Sequence, residues 1–444
     1  MSFARKAATV AAAQVLGAAI GMVNSIISSR MLGPDGVGQL ELLRQFSMLL
    51  MTCVTFGVNN AAIYFLNNRR AAADEVITVV FWFWGGLAVF VTCAATIIIE
   101  LFPKYFGSYS PWFVIFYSAG VAALLGAVFV RSIMTAKLLA RRIVVIDLLP
   151  HIALCLGLVA LLFVGRNEPV WVIGTYSATC ILLALVSFRY VSRQIRWLRR
   201  KHVHLIVQMA KYGAFLWSSN ICLVLNTVLA VFLLQYFSVS ASSALQFTDV
   251  GLFTRASAIT LLCMLVPASI GPLLYSKWAK TADSDELRIQ AEKACRLVTT
   301  YGLCCAVFLL FAGKAVISLL YGDAFIDAQD ALVFLAPAVA LKGRFNVYSN
   351  LLAATGKPGI VTLALIMSIV MLLAAGSCLI PLFGGRGAAI SVLLANLISV
   401  GVTGWICHRQ YGIRIARSSV LQPRDCLVIA KSIVDGQATE VGTP

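Results

Sequence analysis

Charge is scarce in this chain, and acid is scarcer than base. Only 12% of the 444 residues are charged, and 18 Asp and Glu stand against 35 Lys and Arg. So little charge does not fit a soluble protein of this length. Long polar segments are also missing. The only sizeable ones are 191–210, 277–293 and the tail after His408, so no gap holds a globular extramembrane domain. Enzyme signatures are absent: there is no Gly-x4-Gly-Lys-Ser/Thr phosphate loop, no His-Glu-x-x-His and no Gly-x-Ser-x-Gly. ATP hydrolysis within the chain is unsupported, and the chain is expected not to be an enzyme. No cofactor and no metal are expected. The 12 cysteines lie mostly in apolar runs, without Cys-x-x-Cys spacing, and read as small buried hydrophobes.

What is present is apolar. Hydrophobic residues make up 60% of the chain, and the mean hydropathy is +0.91. About every thirty residues a long apolar run returns. A hydrocarbon core of about 30 Å needs about 20 apolar residues of helix to cross it. The runs place roughly twelve spans, at 7–29, 40–66, 76–101, 112–138, 143–164, 170–190, 211–237, 250–276, 294–320, 330–355, 359–383 and 386–408. The expected fold is an all-α polytopic membrane protein. The first run follows Arg5 and Lys6, as a signal peptide would. It is long and has no small-residue cleavage site before Arg30-Met31-Leu32, so it reads as a retained helix.

The net charge of +17 could indicate nucleic acid, but its distribution argues otherwise. About 25 of the 35 Lys and Arg fall in the two tails and in every second loop, the positive-inside pattern. That places both termini in the cytoplasm and makes the lipid bilayer the partner. Arg193, Arg196, Arg199, Arg200 and Lys201 read as a topology anchor on anionic lipid. The loop that holds them divides the spans six and six: an N-terminal lobe 1–200, a C-terminal lobe 201–408 and a cytoplasmic tail 409–444. Asp35-Gly36-Val37-Gly38 before span 2 and Asp249-Val250-Gly251 before span 8 form a faint internal echo. Each leads to an arginine inside the helix, Arg44 and Arg255. The match is too short to establish duplication.

The informative residues are the charges left inside the spans. A charge near a helix centre costs roughly 2.5–3.5 kcal/mol on insertion scales, so it tends to face water or a partner. The candidates are Arg44, Arg131, Arg255, Lys342 and Arg344, with Arg30 at the end of span 1. Acids are almost absent from the span interiors. A cavity lined this way attracts an anion, and the planar fork of arginine suits a diphosphate. Bland readings stand beside this one. Arg131 is near enough to a span end to snorkel, and Arg44 can pair with Glu41 one turn away. Lys342 and Arg344 lie deepest.

Polar side chains form stripes beside these charges. Lys342, Asn346 and Asn350 recur at i, i+4, i+8 and share a helix face. Gln14, Gly21, Asn24 and Ser28 mark span 1, with Gly17 nearby; Asn59, Asn220 and Asn226 extend the inventory. Such residues either wet a cavity for sugar hydroxyls or glue helices together. Asp147 and His151, at i, i+4 in span 5, could carry protons, although Asp147 near a helix start is also favoured by the helix dipole.

Five segments in order resemble one family. Ser29-Arg30-Met31-Leu32-Gly33-Pro34-Asp35-Gly36-Val37-Gly38 is similar to an R-x-L-G-P-E-G-Y-G signature, with Val37 in place of the usual aromatic. Phe56-Gly57-Val58-Asn59-Asn60-Ala61 matches L-G-x-x-x-A. Leu320-Tyr321-Gly322-Asp323-Ala324-Phe325, with Ala328, matches L-Y-G-x-x-F-x-x-A. Ala354-Thr355-Gly356-Lys357-Pro358 matches A-x-G-K-P. Ile380-Pro381-Leu382-Phe383-Gly384-Gly385-Arg386-Gly387-Ala388-Ala389 matches I-P-x-x-G-x-x-G-A-A. Over roughly residues 1–410 the chain resembles the polysaccharide biosynthesis flippases of the multidrug/oligosaccharidyl-lipid/polysaccharide exporter superfamily. The resemblance implies two six-helix lobes around a central cavity. It implies passage of a lipid-linked oligosaccharide, usually on undecaprenyl diphosphate, from the inner to the outer leaflet of a bacterial inner membrane. Polysaccharide polymerase and glycosyltransferases are the implied partners. The rival expectations are a drug or cation exporter of the same superfamily, which needs embedded carboxylates, and a membrane glycosyltransferase, which needs a large outer loop or an acidic pair.

Overall fold

The computed structural model describes residues 3–68, 72–195, 200–240, 247–279, 281 and 283–413. Arg69, Arg70, Arg196, Arg199 and the tail beyond 413 lie outside the described residues. Helix is the only regular structure among them, as the composition requires. In order the helices are α1 (Phe3–Val54), α2 (Val58–Asn67), α3 (Ala73–Leu101), α4 (Pro103–Phe106), α5 (Pro111–Ala136), α6 (Ala140–Val164) and α7 (Pro169–Arg189). Then follow α8 (Arg200–Ser240), α9 (Thr248–Cys263), α10 (Leu265–Trp278), α11 (Ser284–Tyr321), α12 (Ala328–Ala354) and α13 (Pro358–Tyr411). Nine of these are long and apolar enough to cross a membrane, and α9 with α10, bent by 47° at their junction, together pass the same test of length and composition.

Two helices are too long to be single spans. At 1.5 Å per residue, α1 and α13 run to about 80 Å, more than twice the hydrocarbon thickness. Each is interrupted by one glycine with non-helical backbone, Gly33 (φ 66°) in α1 and Gly384 (φ 53°) in α13. A positive φ strains any residue with a Cβ, so glycine is the residue that fits there. Pro34 follows Gly33 and opens the second half of α1, where its missing N–H would have no partner anyway. Spans 1 and 2 are thus two halves of α1, and spans 11 and 12 two halves of α13. The described helices give nine candidate spans, or ten with the bent pair, against the twelve expected; the difference lies in α1 and α13, where glycine kinks stand in place of the expected loops.

Two further breaks lie inside expected spans. Span 2 is interrupted at 55–57, between α1 and α2, where Phe56 and Gly57 both have positive φ. Trp217 on α8 donates its indole N–H to the Thr52 carbonyl at 2.8 Å, which satisfies an acceptor freed by the break. Span 8 breaks at Met264.

The chain folds into two compact units. The first holds the chain up to Arg255 together with Ile317–Ala328 and Ser377–Ala388; the second holds Ala256–Val316, Gln329–Gly376 and the chain from Ala389. This division differs from the even split at 191–210. Span 7, in α8, belongs to the first unit because it packs on the broken span 2. Gly213 lies against the backbone of Gly57, and Tyr212 stacks on Tyr64 with ring centroids 4.1 Å apart. In the second unit, Trp278, Cys295, Tyr348, Leu351 and Cys407 form one apolar cluster.

Candidate functional site

The first unit gathers three of the expected cations into two ion-pair sites. At the kinked end of α1, Glu41 Oε1 accepts from Arg44 Nη1 at 2.9 Å and from Arg255 Nη2 at 2.6 Å. Arg255 also donates to the Ser25 hydroxyl, and its guanidinium lies 5.7 Å from the Tyr321 ring centroid. Arg255 is 2% exposed and Glu41 8%. One carboxylate thus serves two guanidiniums, and the cluster keeps a net positive charge. The Arg255 Nε–H is buried with no acceptor among the described residues.

Two glycines put these charges together. A Cβ on Gly38 would come within 1.9 Å of the Phe247 carbonyl oxygen, and one on Gly251 within 1.9 Å of the Pro34 oxygen. Only bare backbones can cross this closely. Asp35 Oδ1 accepts from the Phe247 N–H at 3.2 Å and fixes the start of α9. Glu41 stands three residues after Gly38, and Arg255 four after Gly251, so each charge shares a helix face with its glycine. The crossing therefore delivers guanidinium to carboxylate. The echo between Asp35–Gly38 and Asp249–Gly251 is a pair of helical segments, in α1 and α9, packed on each other.

Arg44 continues into a cavity of about 70 Å³, lined also by Asn24, Ser28, His151 and Tyr176. Its guanidinium lies 5.8 Å from the Tyr176 ring centroid. Asn24 is 4% exposed and donates to the His151 carbonyl at 2.9 Å. The Asn24 Oδ1 is buried without a donor among the described residues. His151 packs over Gly17 and Gly21 and also lines a larger cavity of about 500 Å³, with Gln14, Arg131 and Asp147.

Arg131 binds Asp147 through both arms of its fork, Nε to Oδ1 at 2.5 Å and Nη2 to Oδ2 at 3.0 Å. Arg131 thus has a carboxylate partner of its own. Asp147 serves as its counter-ion, a role that the helix-start and proton-carrying readings both missed. Arg30 is also engaged. It donates to the carbonyls of Leu319 at 2.6 Å and Leu320 at 3.2 Å, the last turn of α11. A cation is favourable at that negative helix end. Two of the resembling segments therefore meet through this arginine.

In the second unit, Lys342 and Arg344 point apart, because two residues advance a helix by about 200°. Arg344 is 7% exposed. Its Nε donates to the Tyr348 hydroxyl at 2.9 Å, and its guanidinium lies 5.6 Å from that ring's centroid. Lys342 shares its face with Asn346 and Asn350, as expected, and has no ion-pair or hydrogen-bond partner among the described residues. Asn350 Nδ2 donates to Asn346 Oδ1 at 2.7 Å. Gly271 of α10 lies against both amides, the close approach expected of helix glue. Asn59 is half-buried on α2, and Asn220 is exposed on α8.

The geometry defines a multi-pass membrane protein whose arginines gather on carboxylates, Arg255 buried and Arg44 and Arg131 partly exposed. The chain belongs to the polysaccharide biosynthesis protein family, whose model matches residues 3–274. No curated protein matches it by sequence. Solved structures share the fold. An inward-facing multidrug resistance MATE transporter of the MOP superfamily is 15% identical, with 90% of this chain and 98% of that one covered at a TM-score of 0.74. The lipid II flippase MurJ, inward closed, is 12% identical over 97% of this chain and 93% of that one, at 0.73. A MOP superfamily transporter from Pyrococcus furiosus, described by a reversed polarity of its binding pocket, is 14% identical over 92% and 95%, at 0.64.

Proposed function

We propose that this protein is a flippase. It carries a lipid-linked oligosaccharide with a diphosphate headgroup from the inner to the outer leaflet of a bacterial inner membrane, by alternating access. It acts as a carrier and transforms no bond, and it works between the glycosyltransferases that build the glycan and the polymerase that extends it. The observation that carries this reading is the Arg44–Glu41–Arg255 cluster: two guanidiniums on one carboxylate, net positive, with a buried Arg255 N–H still unmet. Such forks are suited to bidentate phosphate oxygens. Within the second unit, Lys342 is a separate cation with no ion-pair partner among the described residues. Family membership supports a polysaccharide substrate. A cation exporter would need a carboxylate free to hold its cargo; Glu41 and Asp147 are both held by arginine, and Asp249 alone of the three forms no ion pair among the described residues.

Deleting the gene and locating the lipid-linked glycan tests this. Accumulation on the inner leaflet is expected. Loss of glycan synthesis would point to an enzyme, and unchanged leaflet distribution would remove the flippase reading.

A further inference from the structure

At one end of the first unit a polar side chain is buried with nothing to bond. Gln235, near the end of α8, is 1% exposed, and neither its Oε1 nor its Nε2 has a hydrogen-bond partner among the described residues. An amide taken out of water in this way is costly. It is not helix glue, which needs a partner across the contact, and a leucine would fill the place without that cost. The amide borders a cavity of about 110 Å³, whose other walls are Leu42 of α1, Phe232 of α8, and Phe102, Tyr105 and Phe106. The sequence makes this chamber by ending α3 at Leu101 and opening α4 with Pro103, so that one short turn carries the aromatic rings. Phe106 packs on Phe46 of α1, ring centroids 5.0 Å apart. Tyr105 lies parallel to Tyr236 of α8 at 6.3 Å. Phe102 and Tyr236 are half-exposed and stand beside the mouth.

A planar amide inside an aromatic chamber has the chemistry of sugar recognition. Its oxygen accepts from one hydroxyl while its nitrogen donates to the next, so two neighbouring hydroxyls of one ring meet both ends at once. The C–H face of the same ring is apolar and packs on an aromatic side chain. We propose that this chamber is a monosaccharide subsite. It takes the hydroxyl-bearing edge of one pyranose, with Gln235 bonding two adjacent hydroxyls and Tyr105 against the ring face. The source of the sugar, the exported glycan, rests on the flippase reading; the recognition chemistry does not. The positive-inside pattern puts this end of the unit, which α1 reaches at its Gly33 kink, on the outer side, where the glycan leaves. Two blander readings explain less. Interfacial aromatics anchor helices without a polar group behind them, which leaves Gln235 unaccounted for. Water would satisfy the amide but makes no use of the rings.

The test titrates the full-length protein in phosphatidylcholine nanodiscs with methyl glucoside, methyl galactoside and methyl mannoside, binding being read by saturation-transfer NMR. At least one glycoside is expected to bind the wild type. Gln235→Leu removes two hydrogen bonds and should weaken that binding about tenfold or more. The same variant should unfold no earlier than wild type, because an unmet buried amide has gone. Tyr105→Leu removes the stacking face and should weaken binding about threefold. No binding of any of the three glycosides, or unchanged affinity in folded Gln235→Leu, overturns the subsite. If Gln235→Leu does not insert, Tyr105→Leu decides: weaker binding supports the subsite and unchanged binding overturns it. Loss of the glycoside signal on changing the nanodisc lipid to phosphatidylglycerol would assign the chamber to a lipid headgroup and overturn the sugar. The leaflet assay is read separately. Gln235-dependent binding with an unchanged leaflet distribution keeps the sugar site and removes the flippase reading; inner-leaflet accumulation with no glycoside binding does the reverse.

Discussion

The deep arginines of the first unit and Lys342 of span 10 solve the same problem in opposite ways. In the first unit each deep arginine has a carboxylate: Arg44 and Arg255 share Glu41, and Arg131 has Asp147. In span 10, Lys342 has no ion-pair partner among the described residues. A paired cation is held in place by its carboxylate. An unpaired one is available at once but must be kept wet or near an anion. Stability and transport should therefore separate differently in the two places.

The largest effect is expected at Glu41. Glu41→Leu leaves two guanidiniums facing each other, one of them fully buried, and breaking such a pair costs about 3–5 kcal/mol. Glu41→Gln keeps an acceptor oxygen and should lose less. Thermal unfolding in nanodiscs orders the two, and added pyrophosphate should recover part of the Leu variant's loss. Equal stability of Glu41→Leu and wild type would mean that the cluster does not hold the unit together.

Next comes the glycine crossing that creates the pair. Gly251→Ala drives a methyl into the Pro34 carbonyl, and overpacking of this kind costs about 1–3 kcal/mol. If the crossing serves to deliver Arg255 to Glu41, Gly251→Ala and Glu41→Leu break the same contact, and their losses should not add. Full additivity in the double variant would separate the crossing from the ion pair.

How much of this was legible in the sequence depends on the range of the contact. The spans were, because an apolar run needs no tertiary partner to declare itself. Their interruptions were not: the apolar pattern runs on through Phe56-Gly57 and through Met264, and a break leaves no mark in hydropathy. The Arg131–Asp147 pair was legible in principle. Each residue stands eight positions from Leu139 in the turn between α5 and α6, so an antiparallel hairpin sets them at one depth. The Arg255–Glu41 pair joins residues 214 apart and has no local register. Its only trace was the repeated Asp-and-glycine motif, which takes on meaning once the two helical segments touch. The five resembling segments proved to be largely turns and helix ends, and so they identified the scaffold better than the substrate site.

The smallest stability effect, and the sharpest contrast, is expected within span 10. Arg344 and Lys342 are two residues apart and look equivalent by depth, yet their surroundings differ. Arg344→Met removes a charged hydrogen bond to Tyr348, worth about 1.5–3 kcal/mol, inside the cluster that Tyr348 shares with Trp278 and Cys295. Lys342→Met removes an ammonium that holds nothing among the described residues, while Met keeps most of the apolar stem. Its unfolding should stay within about 0.5 kcal/mol of wild type, or rise, because a membrane-embedded charge has been deleted. Glycan export should fall in both, but for different reasons: in Arg344→Met together with the amount of folded protein, and in Lys342→Met at full protein level. A Lys342→Met protein that is destabilised as much as Arg344→Met would show that the ammonium has a structural partner. One that exports normally at normal abundance would take Lys342 out of transport.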